Sequence, residues 1–200
     1  MIIRSTLIVL TICIFSCVSD INGPPYTTNL APLSKIPGLG SSLVIPNEDG
    51  WILFDPDGKG SFITKFGQTE IESYVISLDR YNHAVPNSSD EFRKLYEILK
   101  QREISVPRYK LLLVKESARA SLSTYALDFY YLVEDHQPIE LPNGDEYMLL
   151  ETMGFFALHP YIPDTLIRVA YSYRYAKGHE DSLFAEKAKW VLGNVVFTGN

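Results

Sequence analysis

Leu166-Ile167-Arg168-Val169-Ala170-Tyr171-Ser172-Tyr173-Arg174-Tyr175 is the stretch that decides the fold. In an extended strand successive side chains point to opposite faces. Ile167, Val169, Tyr171, Tyr173 and Tyr175 then share one face, and Arg168, Ala170, Ser172 and Arg174 share the other. A period of two over ten residues, rich in β-branched and aromatic types, predicts a sheet strand. Three stretches upstream read alike. Residues 109–116 are rich in Leu and Val, and 123–134 alternate with Tyr125, Leu127, Phe129, Tyr131 and Val133 on one face. Residues 146–158 follow the turn Pro142-Asn143-Gly144-Asp145 as a long strand. Four long strands joined by short links predict an antiparallel meander.

Working outward, Trp51-Ile52-Leu53-Phe54 and Ser61-Phe62-Ile63-Thr64-Lys65-Phe66 are two short β runs, and 72–81 is a third with Tyr74, Ile76 and Leu78 on one face. The period then changes. Ser88 with Glu91 three residues on is a capping box, and Phe92, Leu95, Tyr96, Ile98 and Leu99 follow as an apolar stripe at helical spacing. A second stripe, Phe184, Ala188, Val191, Leu192 and Val195, predicts a helix over 182–196. The predicted order is β-β-β-α-β-β-β-β-α, an α+β fold in which two helices pack on an antiparallel sheet of about six to seven strands.

The 200 residues are 46% hydrophobic and 12% aromatic, enough apolar material for one packed core and too much for a disordered chain. A net charge of −6 without a basic stripe argues against nucleic acid as a partner. At the start, Arg4 precedes twelve uncharged residues, 7–18. A run of that length rises about 18 Å as a helix, short of the roughly 30 Å of a bilayer core, so it reads as a secretory signal over 1–16. From Asp20 to Pro46 the chain is rich in Pro and Gly with no period. It reads as a tether, making 17–48 an appendage and 49–200 the single domain; alternatively 42–45 begins a strand and the segment wraps the domain.

Both cysteines, Cys13 and Cys17, lie in the N-terminal segment, so the body has no disulfide. Ile14-Phe15-Ser16-Cys17 resembles the lipobox of bacterial lipoproteins, which implies diacylation at Cys17; conventional cleavage after Ser19 is the alternative. Val18 after Cys17 implies, by the same resemblance, an outer-membrane protein facing the periplasm. The order of strands and helices over about 49–198 resembles the PsbP-like sandwich. Gly154-Phe155-Phe156-Ala157-Leu158-His159-Pro160 with Tyr171-Ser172-Tyr173-Arg174 resembles a family of uncharacterised secreted bacterial proteins. These resemblances imply a location and a fold, and no chemistry.

Groups able to do chemistry are sparse. Asp55-Pro56-Asp57-Gly58-Lys59-Gly60 reads as a hairpin turn; as a calcium loop it would put Lys59 where an oxygen ligand belongs. His83, His136, His159 and His179 have no metal-ligand spacing, and there is no Gly-x-Ser-x-Gly elbow, so neither a catalytic residue, a metal nor a cofactor is assigned. His83, His136 and His179, and the pairs Glu134-Asp135 and Glu180-Asp181, read as solvated surface. His159 closes a strand, where it bonds a loop carbonyl or forms one edge of a ligand site with Tyr173 and Arg174. The arginines at 168 and 174 reach water, or Arg174 pairs with Asp128, or both bind an anion. The predicted function is a non-catalytic, lipid-anchored envelope module that binds another envelope protein or a small ligand. An envelope hydrolase using His159 with a carboxylate, and a purely structural lipoprotein, are the alternatives.

Overall fold

The computed structural model describes residues 27–38, 40–54, 62–123, 125–136, 141 and 144–199. In chain order the elements are β1 (Thr27–Asn29), β2 (Lys35–Gly38), β3 (Ser41–Val44), β4 (Ile52–Phe54), β5 (Phe62–Phe66), β6 (Ser73–Asn82), α1 (Ser89–Ile104), β7 (Tyr109–Ala118), β8 (Ala126–Asp135), β9 (Met148–Leu158), β10 (Thr165–Tyr175), α2 (Phe184–Gly193) and β11 (Val196–Phe197). Eight strands make one sheet in the order β1-β4-β5-β6-β10-β9-β8-β7, and β11-β3-β2 make a small one. The ladders are antiparallel. The four-strand meander is therefore present, and the chain is an α+β fold with two helices on a mostly antiparallel sheet.

β10 is the strand on which the two faces meet. It pairs with β9 on one side, Leu166 opposite Leu158 and Arg174 opposite Leu150. On the other side it pairs with β6, Thr165 opposite Asn82 and Arg174 opposite Ser73. Its alternate residues enter two cores. Leu166 and Ala170 join Leu127, Phe129, Tyr131 and Phe156 under Phe92, Tyr96 and Leu99 of α1. Val169, Tyr171 and Tyr173 join Ile76, Leu78 and Phe155 under Phe184, Ala188 and Val191 of α2. The helices thus cover opposite faces, each laying its apolar stripe on alternating strand residues. α1 begins where the capping box predicts: the Ser88 hydroxyl accepts the Glu91 N–H at 3.2 Å. The Glu91 carboxylate reaches back to the N–H of Asn87 at 2.7 Å, one residue beyond the reciprocal bond of the motif.

The tether is not a tether over its described length. β1, β2 and β3 lie within residues 27–44, pairing with β4 and with one another, and Leu43 and Ile45 are 2% and 0% exposed. The segment wraps the domain, so the packed unit begins well before residue 49. Strands of three or four residues carry no legible period, which is why the Pro and Gly dominated the reading. Pro37 sits in β2, an edge strand of the small sheet, where a missing N–H breaks no necessary bond. Residues 1–26, with Cys17 and the expected signal, lie outside the described residues, as does the turn 55–60 with its calcium alternative.

One glycine is fixed by close approach. A Cβ on Gly154 of β9 would lie 2.4 Å from the Phe129 ring and 2.4 Å from the Val169 carbonyl oxygen. Backbone cannot yield as a flexible side chain would, so Gly154→Ala is expected to destabilise the protein by about 2 kcal/mol through overpacking. Urea unfolding monitored by tryptophan fluorescence checks this, and an unchanged midpoint would contradict the packing of β8 on β9.

Candidate functional site

The four residues singled out from sequence do not converge. His159 and Arg174 lie at opposite ends of the β9–β10 ladder, nine rows or roughly 30 Å apart. His159 Nε2 donates to the Gly40 carbonyl at 2.7 Å, and Nδ1 accepts the N–H groups of Tyr161 (3.1 Å) and Ile162 (3.0 Å). Both ring nitrogens are engaged, so the histidine clasps the β2–β3 loop to the sheet and is left no free edge for a ligand. Tyr173 is fully buried on the α2 face, stacked on Tyr74 with ring centroids 4.0 Å apart. Asp128 accepts from Arg119 Nη1 at 2.7 Å, and not from Arg174.

The arginines of β10 do not reach water. Arg174 Nε donates to Asp135 Oδ2 at 2.7 Å, Nη1 donates to the Ile71 carbonyl at 3.2 Å, and Arg108 Nε approaches Asp135 Oδ1 at 3.0 Å. Asp135 is 1% exposed, which corrects its reading as solvated surface. Arg168 Nη1 meets Asp79 at 2.9 Å and Ser77 at 2.9 Å, and Nε meets Glu103 at 2.5 Å. Burial works against this cation, but the carboxylates of Glu103 and Asp79 overcome it and hold the guanidinium above its ordinary pKa. Burial raises the Glu103 carboxyl in turn, against the pull of Arg168. These are structural charges inside a covered sheet.

His179 is another correction. Its Nδ1 lies 2.6 Å from Oε1 of Glu72, a fully buried carboxylate that also accepts the N–H groups of Ala176, Gln68 and Thr69. Sequence spacing could not show this pair, since 107 residues separate the partners. Beside it, Glu151 accepts the Tyr130 hydroxyl at 2.8 Å and has no cationic partner among the described residues. Burial raises the Glu151 carboxyl; the Tyr130 bond lowers it, and the charge of Asp181 raises it again. No group of three His, Cys, Asp or Glu among the described residues could hold a metal ion. A cavity of about 210 Å³ at the end of α2 is lined by Arg119, Leu122, Phe155 and Phe197. It is smaller than a typical ligand pocket, and its arginine is already bonded to Asp128 and to the Leu192 carbonyl.

The feature with unspent binding capacity is the edge of the large sheet. β7 is terminal in the strand order and ten residues long, whereas the opposite edge, β1, has three. Arg119 N–H donates to the Ala126 carbonyl, and His136 N–H donates to the Arg108 carbonyl, which places the bonded pairs of the β7–β8 ladder. In an antiparallel ladder alternate residues bond inward and the rest turn both backbone groups outward. Leu111, Val114, Glu116 and Ala118 are the outward ones. Leu112 is an extra residue, a β-bulge between Leu111 and Leu113. Leu111, Leu112 and Leu113 are 41%, 45% and 38% exposed. Three consecutive leucines in place of an alternation was the available signal, but the sequence does not say which strand lies at an edge. The charges facing this corner are mostly positive. Lys110 and Arg93 are exposed, Lys115 is exposed over the Tyr130 ring, the carboxylates Glu116 and Glu134 are largely covered, and the more exposed Glu97 of α1 is paired with Lys100.

Two outcomes test the buried charges. Arg174→Ala leaves the buried Asp135 with Arg108 alone and is expected to cost about 3 kcal/mol in urea unfolding, whereas Arg174→Met with Asp135→Leu is expected to recover most of it. For Glu151 the folded pKa stands above the unfolded one, so the folded state binds the proton more tightly and stability falls as pH rises through that interval. Glu151→Gln is therefore expected to raise stability at neutral pH and to leave it unchanged well below the ordinary carboxylate pKa. Melting temperatures across that pH range check the sign.

No family model and no curated protein matches the chain. Among solved structures the fold is similar to the Saccharomyces cerevisiae Ran-binding protein Mog1p, at 12% identity over 86% of this chain and 96% of that one, with a TM-score of 0.45. It is similar to a mutant of Mog1 at the same identity and coverage, with a TM-score of 0.43. These findings overturn the expected PsbP-like family of bacterial lipoproteins, which rested on the order of elements without a signature motif. The signal-peptide and lipoprotein features, the lipid anchor with its membrane and envelope partners, and the outer-membrane location fall with that family. So do the envelope hydrolase and the structural lipoprotein. Among the described residues no helix is long and apolar enough to cross a membrane.

Proposed function

We propose that this chain is a non-catalytic protein-binding module that engages its partner through the β7 edge of the large sheet. One observation carries the reading: a ten-residue edge strand holds three consecutive exposed leucines, with outward backbone groups that no neighbouring strand satisfies among the described residues. Long apolar edges are templates for pairing with another chain, and exposed apolar patches mark interaction surfaces. The non-catalytic part is supported by how the reactive side chains are employed. His159 clasps a loop, Asp135 bridges two arginines, and Glu72 is saturated by four donors.

Leu112→Lys and Leu113→Lys replace exposed side chains and are expected to leave stability within about 0.5 kcal/mol. Affinity capture from cells that express the chain, read by quantitative mass spectrometry, is expected to show a protein retained by the parent chain. Both variants should lose that protein at least about tenfold. Equal retention by parent and variants would overturn the use of this edge.

A further inference from the structure

Resting on the proposed use of the β7 edge, we infer that the partner contributes an extended, acidic and apolar segment that adds to the large sheet as a ninth strand beside β7. The backbone supplies the mode. Leu111, Val114, Glu116 and Ala118 present N–H and C=O groups in one line, which an extended chain can satisfy and a helix cannot. The side chains supply the chemistry. Toward the α2 side the strand presents Lys110, Leu113 and Lys115, and toward the α1 side Leu111 and Val114. Arg93 of α1 stands 3.7 Å from Glu116 with most of its side chain exposed. Lys100 covers the same carboxylate at 2.8 Å and also pairs with Glu97 of α1, so neither acid stands without a cation. Glu134 is likewise covered, by Lys110 and His136. The edge is therefore apolar along its middle and positive along its margins, on a chain whose net charge is −6.

That charge also selects among occupants. A second copy pairing through β7 would bring these lysines and Arg93 against their own equivalents, and the bulge at Leu112 would interrupt the ladder. An acidic segment meets the same margins with attraction, and alternating apolar residues place one side chain in two against the leucines.

The test uses the full chain and fluorescein-labelled decapeptides of three designs, read by anisotropy. One alternates glutamate and valine, one alternates lysine and valine, and the third is the glutamate peptide with every second backbone nitrogen methylated, made in both registers. The glutamate peptide is expected to bind about tenfold or more tighter than the lysine peptide and to weaken as salt rises. Methylation in one register is expected to abolish binding, since those nitrogens face β7. Arg93→Glu with Lys115→Glu is expected to invert the preference. No binding of the glutamate peptide at millimolar concentration, equal binding of both peptides, or indifference to methylation in both registers would each overturn the inference. A dimer of the parent chain in sedimentation that Leu112→Lys dissolves would overturn it too, by making a second copy the occupant. The two readings fail separately: leucine-dependent capture without peptide binding defeats the acidic strand alone, and loss of both defeats the edge.

Discussion

Burial of β10 on both faces is the constraint from which the rest of the molecule follows. A strand between two helical layers has no solvent on either side, yet this one carries Arg168 and Arg174, both largely buried. Long cations normally keep their heads in water. Here the carboxylates come to them: Asp79 from β6, Glu103 from the last turn of α1 and Asp135 from the end of β8. A register slip of one residue between β10 and β6 would carry Arg168 away from Asp79 and turn every tyrosine to the wrong core. Such pairs add little net stability over an apolar core, because desolvation offsets most of the attraction. Their effect is to make one register far better than its neighbours.

Once that register is set, the width of the sheet decides what stays open. Eight strands span roughly 34 Å, while a helix covers about 10 Å. α2 lies over β10 and β9, and the small sheet extends that cover through Leu43. α1 takes the opposite face with Phe92, Tyr96 and Leu99, and holds to β7 and β8 through hydroxyls: Tyr96 meets Tyr131 at 2.7 Å and Glu116 at 3.0 Å. α1 thus reaches the end strand through Glu116, whereas α2 stops at β10 and β9, so the outer edge of β7 stays open and its leucines exposed.

β6, β8, β10 and both helices were legible because each carries a period of two or 3.6 over about ten residues, and β7 and β9 because they are long apolar runs bounded by turn residues. β1, β2 and β3 were not, since three or four residues hold less than two full periods and Pro and Gly outweigh them. Residue type was also a poor guide to environment. Asp135 and His179 read as solvated surface, yet Asp135 is buried against Arg174, 39 positions on, and His179 bonds the buried Glu72, 107 positions back, partners that no local window contains. The candidate site was legible in composition, as Leu111-Leu112-Leu113 between Lys110 and Lys115, and illegible in position. The edge of a sheet is a property of pairing, and the pairing of β6 with β10 across the intervening helix and three strands is what sends β7 to the end.

The two edges show why one of them is a credible docking line. β1 is only three residues long, too short to template another chain. β7 is long and free of proline, and it carries the two commonest guards of an exposed edge, a bulge and flanking lysines. Those guards act unequally. A bulge interrupts any partner's ladder, whereas positive charge repels only a partner that shares it. Against identical copies both guards act together; against an acidic strand the charge becomes attraction, leaving the bulge as a local gap that a flexible segment can bridge. The device that keeps the chain from pairing with itself thereby sets the sign of what it can bind.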